Sequence, residues 1–438
     1  MIKISIPQNN LQERGYVLDF FFQDFLGLDY VVDSSILNLN YSIRFNDSEL
    51  IIQDSFFQLY PEPLSYLQLE AIPKNIYYTV NEFAPEKNIP IIYGTPACIV
   101  EEKKILCGID IFASSFFMLT RWEEYVNKTR DQHSRFPSFE SIAFKNKFLN
   151  RPIVNEYVEM LWKMMLKLGF NGKPKNHNFE LFLTSDIDKL IFPKSFSVLT
   201  ADLLIRRNLS LFREHFNFMY FTNPYDTFEI FMGICEKMGK KAHFYFMASE
   251  KKNLPLDHRY ILGRNITKSK IAQIKERGHI IGFHPGYFTY NNEEKWVSEK
   301  RLLENFIGCE VNEGRQHYLR MDITKTLSIW DNNNMKIDST LGYYDNEGFR
   351  CGTGNIFPVF DILRRNQLNL LERPLIIMDV TLFKYKNYSI EQASEIMNYY
   401  FSISRKYRTN LTLLFHNDSI HSRWNGKCLI ILKKLTSY

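Results

Sequence analysis

An α/β fold, a (β/α) barrel in the second part of the chain, is predicted by two observations. Strand-like and helix-like patterns alternate over roughly 270 residues, which implies parallel strands joined by right-handed crossovers. Five of these strand patterns end in ionisable residues: Asp186 with Asp188, His284, Arg320, Asp338 and His416. Barrels of this type carry their chemistry at the C-terminal strand ends, so the five are expected to share one site. A smaller mixed α/β domain is expected over 1–152, with the barrel over 153–438.

The elements are read in order. Leu11 to Leu26 is expected to be helical, with Gly27 just past its end. YSIRF and ELIIQ alternate as half-buried strands do, and Ile111 to Val126 reads as a further helix. The stretch DQHSRFPSFES is polar and turn-rich. Glu156 to Leu168 places Met160, Leu161, Met164 and Leu168 on one helical face and stops before Gly169. FELFLTSDID is a buried strand. Asn223-Pro224 opens a helix whose apolar face is Phe228, Phe231, Cys235 and Met238. The strand AHFYFMA follows, then a helix from Ser269 to Arg277 and the strand HIIGFH. A charged helix from Glu293 to Phe306 precedes the strand HYLRM, and a helix from Thr324 to Asn333 precedes MKID. PLIIMDVTLF, a helix from Glu391 to Lys406 and the strand NLTLLFH complete the alternation.

Composition excludes several classes. The net charge is +5, from 54 basic and 49 acidic residues, and no long Lys/Arg run occurs, so a nucleic-acid footprint is not expected. The six cysteines show neither metal-knuckle nor redox spacing and are expected to be reduced. The N-terminus lacks a basic head followed by an apolar run, so no signal peptide is expected. The most apolar stretch, ILCGIDIFASSFFMLTRW, is interrupted by Asp110 and reads as a buried helix rather than a membrane span. Cytoplasmic residence is the resulting expectation.

In TSDID, two residues of spacing on an extended segment point Asp186 and Asp188 the same way. Such a pair can divide its roles, one carboxylate binding a metal and the other accepting a proton; solvated carboxylates in a turn are the alternative. In GHIIGFHPGY, His284 ends the strand and could ligate a metal, while His279 lies at the opposite end and reads as structural.

TSDID, GHIIGFHPGY, the arginine of HYLRMD, KIDSTLGY and LLFH stand in the order and approximate spacing of the polysaccharide deacetylase superfamily, the NodB-homology fold. The chain resembles that family over residues 180 to 420 or so. DIFASSFFMLTRWEEYV, RQHYLR, IDSTLGYYDNEGFRCGT and PLIIMDVTLF resemble a bacterial branch with an extra N-terminal domain. The resemblance implies a distorted barrel that uses a divalent metal, most commonly zinc, to remove an N-acetyl group from an amino sugar. It implies Asp188 and His284 as ligands, Asp186 as base, Arg320 paired with Asp186, His416 as acid and Asp338 as a positioning carboxylate.

This sequence departs from the family pattern at Phe288, where a second histidine ligand usually stands. His317 of RQHYLR is the replacement considered first, although strand alternation would place it on the face opposite Arg320. Tyr287 could offer a hydroxyl instead, or the metal could be weakly held or lost. Arg350 of GFRCGTG, in a loop that also reads as a plain turn, and Asp379 of MDV are expected to face substrate. The expected partner is an N-acetylated sugar of surface polysaccharide assembly, as a nucleotide- or lipid-linked precursor. A sugar-binding protein without catalysis, and a metal-free carbohydrate hydrolase, are the alternatives.

Overall fold

The computed structural model describes residues 1–248, 256–257, 260, 262–421 and 423–437. It is mixed α/β, with two main sheets. The first has six strands in the order Tyr30–Ser35, Ile2–Pro7, Tyr41–Phe45, Ser48–Ile52, Lys104–Ile109 and Gly94–Val100, with parallel and antiparallel neighbours. The second has nine, in the order Phe357–Asp361, Asn366–Glu372, Ile337–Asp338, Glu313–Gly314, Ile280–Phe283, Ala242–Phe246, Leu181–Ile187, Leu411–Leu414 and Ile377–Met378. All neighbours there pair parallel except the first two. The expected barrel is not closed by backbone pairing among the described residues: Phe357–Asp361 and Ile377–Met378 are edges.

Two of the central strands, Ala242–Phe246 and Leu411–Leu414, are buried along their whole length, as parallel strands covered on both faces are. A single apolar core runs through both sheets. Tyr16, near the N-terminus, stacks on Phe360 at 4.9 Å and donates its hydroxyl to the Pro358 carbonyl at 2.8 Å.

Three local expectations are corrected. The helix expected from Ile111 to Val126 is two helices, Ile111–Thr120 and Trp122–Val126. They break at Arg121, which is left-handed (φ 53°) so that its buried guanidinium can fold onto Glu123 and Glu124, at 2.9 Å each. The helix from Leu11 is regular only to Asp19 and widens into a π-turn over Phe20–Phe25. HYLRM is no strand. Its strand is two residues, Glu313–Gly314, followed by a tight turn at His317–Leu319 where Tyr318 and Leu319 take φ 62° and 55°. Two helices for which the sequence offers no strand partner, Phe196–Leu204 and Leu209–Tyr220, form a hairpin after Leu181–Ile187.

Asp338 and Glu372 sit opposite each other on neighbouring strands, fully buried, and Asp338 Oδ2 and Glu372 Oε2 have no other hydrogen-bond partner among the described residues. Burial, then Asp338, holds Glu372 well above the usual carboxylate range, and burial raises Asp338 to about 6. The folded state therefore binds more protons than the unfolded chain, whose carboxyls titrate near about 4. The pair's contribution is complete below about pH 4 and is lost as pH rises through 6 and beyond. Glu372→Gln should remove much of this loss. Thermal midpoints followed between about pH 6 and 9 should fall less steeply for the variant than for the parent; parallel curves would refute the assignment.

Candidate metal centre and hydrolytic site

Leu181–Ile187 delivers Asp186 near its C-terminal end, and Asp188 follows directly after the strand. Both carboxylates face His284, as their spacing predicts: Nε2 of His284 lies 3.5 Å from Asp188 Oδ1 and 3.8 Å from Asp186 Oδ2. His284 follows Ile280–Phe283 and is fixed by a 2.6 Å contact between Nδ1 and the Arg315 carbonyl, which leaves Nε2 for the site. His317 reaches the same point, with Nε2 3.6 Å from Asp188 Oδ1. Its Nδ1 lies 3.3 Å from Asp257, a buried carboxylate. A second partner that orients the imidazole is the usual companion of a metal-ligating histidine.

One ligand atom each from Asp188, His284 and His317 lies within 4.8 Å of the others. Ligands roughly 2.1 Å from a shared tetrahedral ion stand about 3.4 Å apart, close to the two contacts made by Asp188. Asp188 Oδ1 and His284 Nε2 are buried without a hydrogen-bond partner. Leaving such atoms unpaired is costly, and a cation satisfies both at once. The donor set therefore fits a divalent ion. Burial would raise the Asp188 pKa, but His317 and His284 hold it far below the ordinary range.

The positive-φ turn explains the failure of the alternation argument. The strand stops at Gly314, so nothing obliges His317 and Arg320 to alternate. A Cβ at Gly314 would lie 2.0 Å from the Phe283 carbonyl, so only glycine allows this approach. Arg315 then donates its backbone N–H to that carbonyl at 3.0 Å and enters the core.

Arg315, not Arg320, is the partner of Asp186. Its guanidinium is fully buried and donates to Asp186 Oδ1 and Thr184 Oγ1, each at 2.9 Å. Arg320 makes no hydrogen bond or ion pair with Asp186 among the described residues. It donates to the carbonyls of His133 and Tyr287 and stacks on Tyr287 and Tyr290 at 3.9 and 4.0 Å. RQHYLR contains two arginines, and the one next to the strand end is the one that can reach inward.

On the other side of the site, His416 follows Leu411–Leu414. Its Nδ1 contacts Asp379 Oδ1 at 2.8 Å, and its backbone N–H donates to Asp379 Oδ2 at 2.8 Å. Asp379, expected to face substrate, is instead a buried orienting carboxylate that also accepts from Ser419. Burial would lower the His416 pKa, but Asp379, with Asp188 and Asp186 beyond it, raises it to about 10.

Arg350 is likewise corrected. It is buried, its guanidinium is clamped by Glu124 and it donates to the Gly342 carbonyl, so it cannot face a sugar. Tyr287 is buried, with its hydroxyl 3.1 Å from His133 Nδ1. Phe288 is exposed and lies under Lys295. Asp338 lies outside the cleft. Thr340 donates to it and in turn accepts the Gln316 N–H at 3.0 Å, so Asp338 braces the segment that carries Arg315 and His317.

The metal cluster opens into a cleft of about 190 Å³ lined by Asp186, Asp188, His317 and His416, with Arg135, Lys384 and Arg423 among its walls. Arg135 comes from the turn-rich DQHSRFPSFES and stacks on Tyr344 at 3.5 Å. The first part of the chain thus builds one wall of the cleft. Sequence reasoning missed Arg135, Arg315 and Asp257. Arg315 gave no signal there, because the strand was expected only from His317 onward.

A family model described as a family of unknown function, DUF7033, matches residues 2–169. No curated protein matches the sequence. Among solved structures, a protein from Mycobacterium smegmatis assigned as a polysaccharide deacetylase is similar with a TM-score of 0.40 at 14% identity, over 61% of this chain and 86% of that one. Puue allantoinase is similar with a TM-score of 0.37 at 11% identity, over 60% of this chain and 85% of that one. No helix among the described residues is long and apolar enough to cross a membrane.

Proposed function

We propose that the chain is a metal-dependent hydrolase that removes an N-acetyl group from an amino sugar. It would do so on a distorted (β/α) barrel over 153–438, with a smaller domain over 1–152 closing one side of the cleft. The observation that carries this reading is the pair of buried, unpartnered atoms Asp188 Oδ1 and His284 Nε2, 3.5 Å apart and joined by His317 Nε2.

Asp188, His284 and His317 would hold the ion, and their two nitrogens and one oxygen suit zinc. When bound, such an ion supplies Lewis-acid chemistry, making water more acidic and a carbonyl more electrophilic. Asp186 would take the proton of the attacking water, aimed by its 2.9 Å contact with Arg315. The water oxygen bonds to the acyl carbon, the C–N bond breaks and the acyl group leaves as a carboxylate. His416 would give its Nε2 proton to the departing amine, while Asp379 holds its Nδ1 side at 2.8 Å. Lys384 on the cleft wall favours a substrate bearing negative charge, as a nucleotide- or lipid-linked sugar does, whereas Arg135 and Arg423 beside it are paired with Asp131 and Asp418 at 2.7 Å.

The test joins metal content to turnover. Protein purified without chelators should carry close to one divalent ion per chain, and His317→Ala should lose it while keeping its thermal midpoint within a few degrees. Acetate should be released from some member of a panel of N-acetylhexosamine nucleotides and oligosaccharides supplied with zinc, cobalt or nickel. A parent protein that binds no metal and releases no acetate would overturn the reading. Metal retained in full by His317→Ala would overturn the ligand set.

A further inference from the structure

The helical hairpin of Phe196–Leu204 and Leu209–Tyr220 carries many exposed apolar side chains. Its two helices pack on each other, yet only Leu199, Asp202 and Met219 in them are buried. At its tip Leu204 is 76% and Ile205 81% exposed; Phe196 and Phe221, at its base, are 75% and 76% exposed. Soluble surfaces rarely expose such a contiguous apolar patch without a partner. Exposed cations are interleaved with it: Lys194, Arg207 and Arg213. Of the two acidic residues in the helices, Asp202 is buried and neutralised by Arg206 and His215, which leaves Glu214.

We propose that this hairpin docks the protein onto an anionic lipid bilayer. Leu204 and Ile205 enter the boundary between headgroups and acyl chains, and Arg207 and Arg213 meet lipid phosphates. An apolar face bordered by Lys and Arg is the pattern of helices that lie in a membrane interface.

The hairpin is rooted beside the site. It leaves the chain just after Asp188, and its base is held where Lys189 pairs with Asp418 at 2.7 Å and Asn417 binds the Lys189 carbonyl. Docking therefore brings the cleft close to the bilayer surface. If the proposed hydrolase function holds, this placement suits a lipid-linked sugar, but docking itself does not depend on that function.

The experiment is flotation of the full chain with vesicles of phosphatidylcholine alone or mixed with phosphatidylglycerol. The parent should float with the mixed vesicles and more weakly with phosphatidylcholine. The double variant Leu204→Ser with Ile205→Ser should lower binding about tenfold or more, by loss of inserted apolar surface. Arg207→Ala should lower it about fivefold. Both variants alter exposed residues and should keep the parent's thermal midpoint. Absence of flotation with mixed vesicles, or undiminished flotation of the double variant, would overturn the proposal. So would a parent dimer that the double variant converts to monomer without vesicle binding. Flotation is read without turnover, so it can fail while acetate release succeeds, and the reverse.

Discussion

Asp186→Asn is expected to keep its metal and lose turnover by about two to four orders of magnitude, the usual worth of a positioned proton acceptor. The amide can still accept a hydrogen bond from Arg315, which reaches Asp186 Oδ1 at 2.9 Å, so the local geometry should survive. It cannot take a proton. Asp188→Asn should behave differently, losing metal and turnover together, because its oxygen is the one 3.5 Å from His284 Nε2 and 3.6 Å from His317 Nε2. The two variants are compared by metal analysis and by acetate release under saturating zinc. Asp186→Asn turning over at the parent rate would remove Asp186 as the base; loss of its metal would make it a ligand.

Arg315→Ala should be the most destabilising single change at the site. Its guanidinium is fully buried and donates to Asp186, Thr184, the Ser339 carbonyl and Ser339 Oγ. Removing it strands the Asp186 carboxylate in the interior, and breaking a buried pair in this way costs about 3–5 kcal/mol. Urea midpoints at neutral pH measure the loss, and turnover of the surviving folded fraction should fall as well, since Asp186 is no longer aimed. Arg320→Ala is the control. Arg320 donates to backbone carbonyls and stacks on two tyrosines, so its loss should cost no more than about 2 kcal/mol and leave Asp186 in place. Equal effects of the two changes on turnover would show that Arg315 is not what orients the base.

The site unites parts of the chain that differ in how far their sequence betrays them. Asp186, Asp188, His284 and His416 each end an apolar run. A polar residue in that position has few structural uses, so these four stand out from the sequence alone. The choice between Arg320 and Arg315 cannot be settled in this way. It depends on where a two-residue strand stops, and that is decided by the close packing of Gly314 on the Phe283 carbonyl. His317 is left open by the sequence for the same reason: strand alternation forbids what a positive-φ turn at Tyr318 and Leu319 permits. Asp379 and Arg350 both lie in loops or strand ends where a charged residue can face solvent or core. Burial against His416 in one case and Glu124 in the other assigns them.

Periodicity and turn chemistry by themselves determined much of the alternation of strands and helices, because apolar spacing and helix-ending glycines are local properties of the chain, though not the strand at Glu313–Gly314 or the hairpin of Phe196–Leu204 and Leu209–Tyr220. They also made it expected that Asp186 and Asp188 point the same way, two residues apart on an extended segment. Tertiary structure alone decided that His317 joins Asp188 and His284, that Arg315 pairs with Asp186 and that Arg135 lines the cleft. Asp257 and Arg135 come from segments with no regular pattern, and each meets the site only through contacts distant in sequence: Asp257 with His317, and Arg135 with Tyr344. Such contacts leave no periodic trace, because their cause is the packing of the whole chain rather than the sequence around either residue.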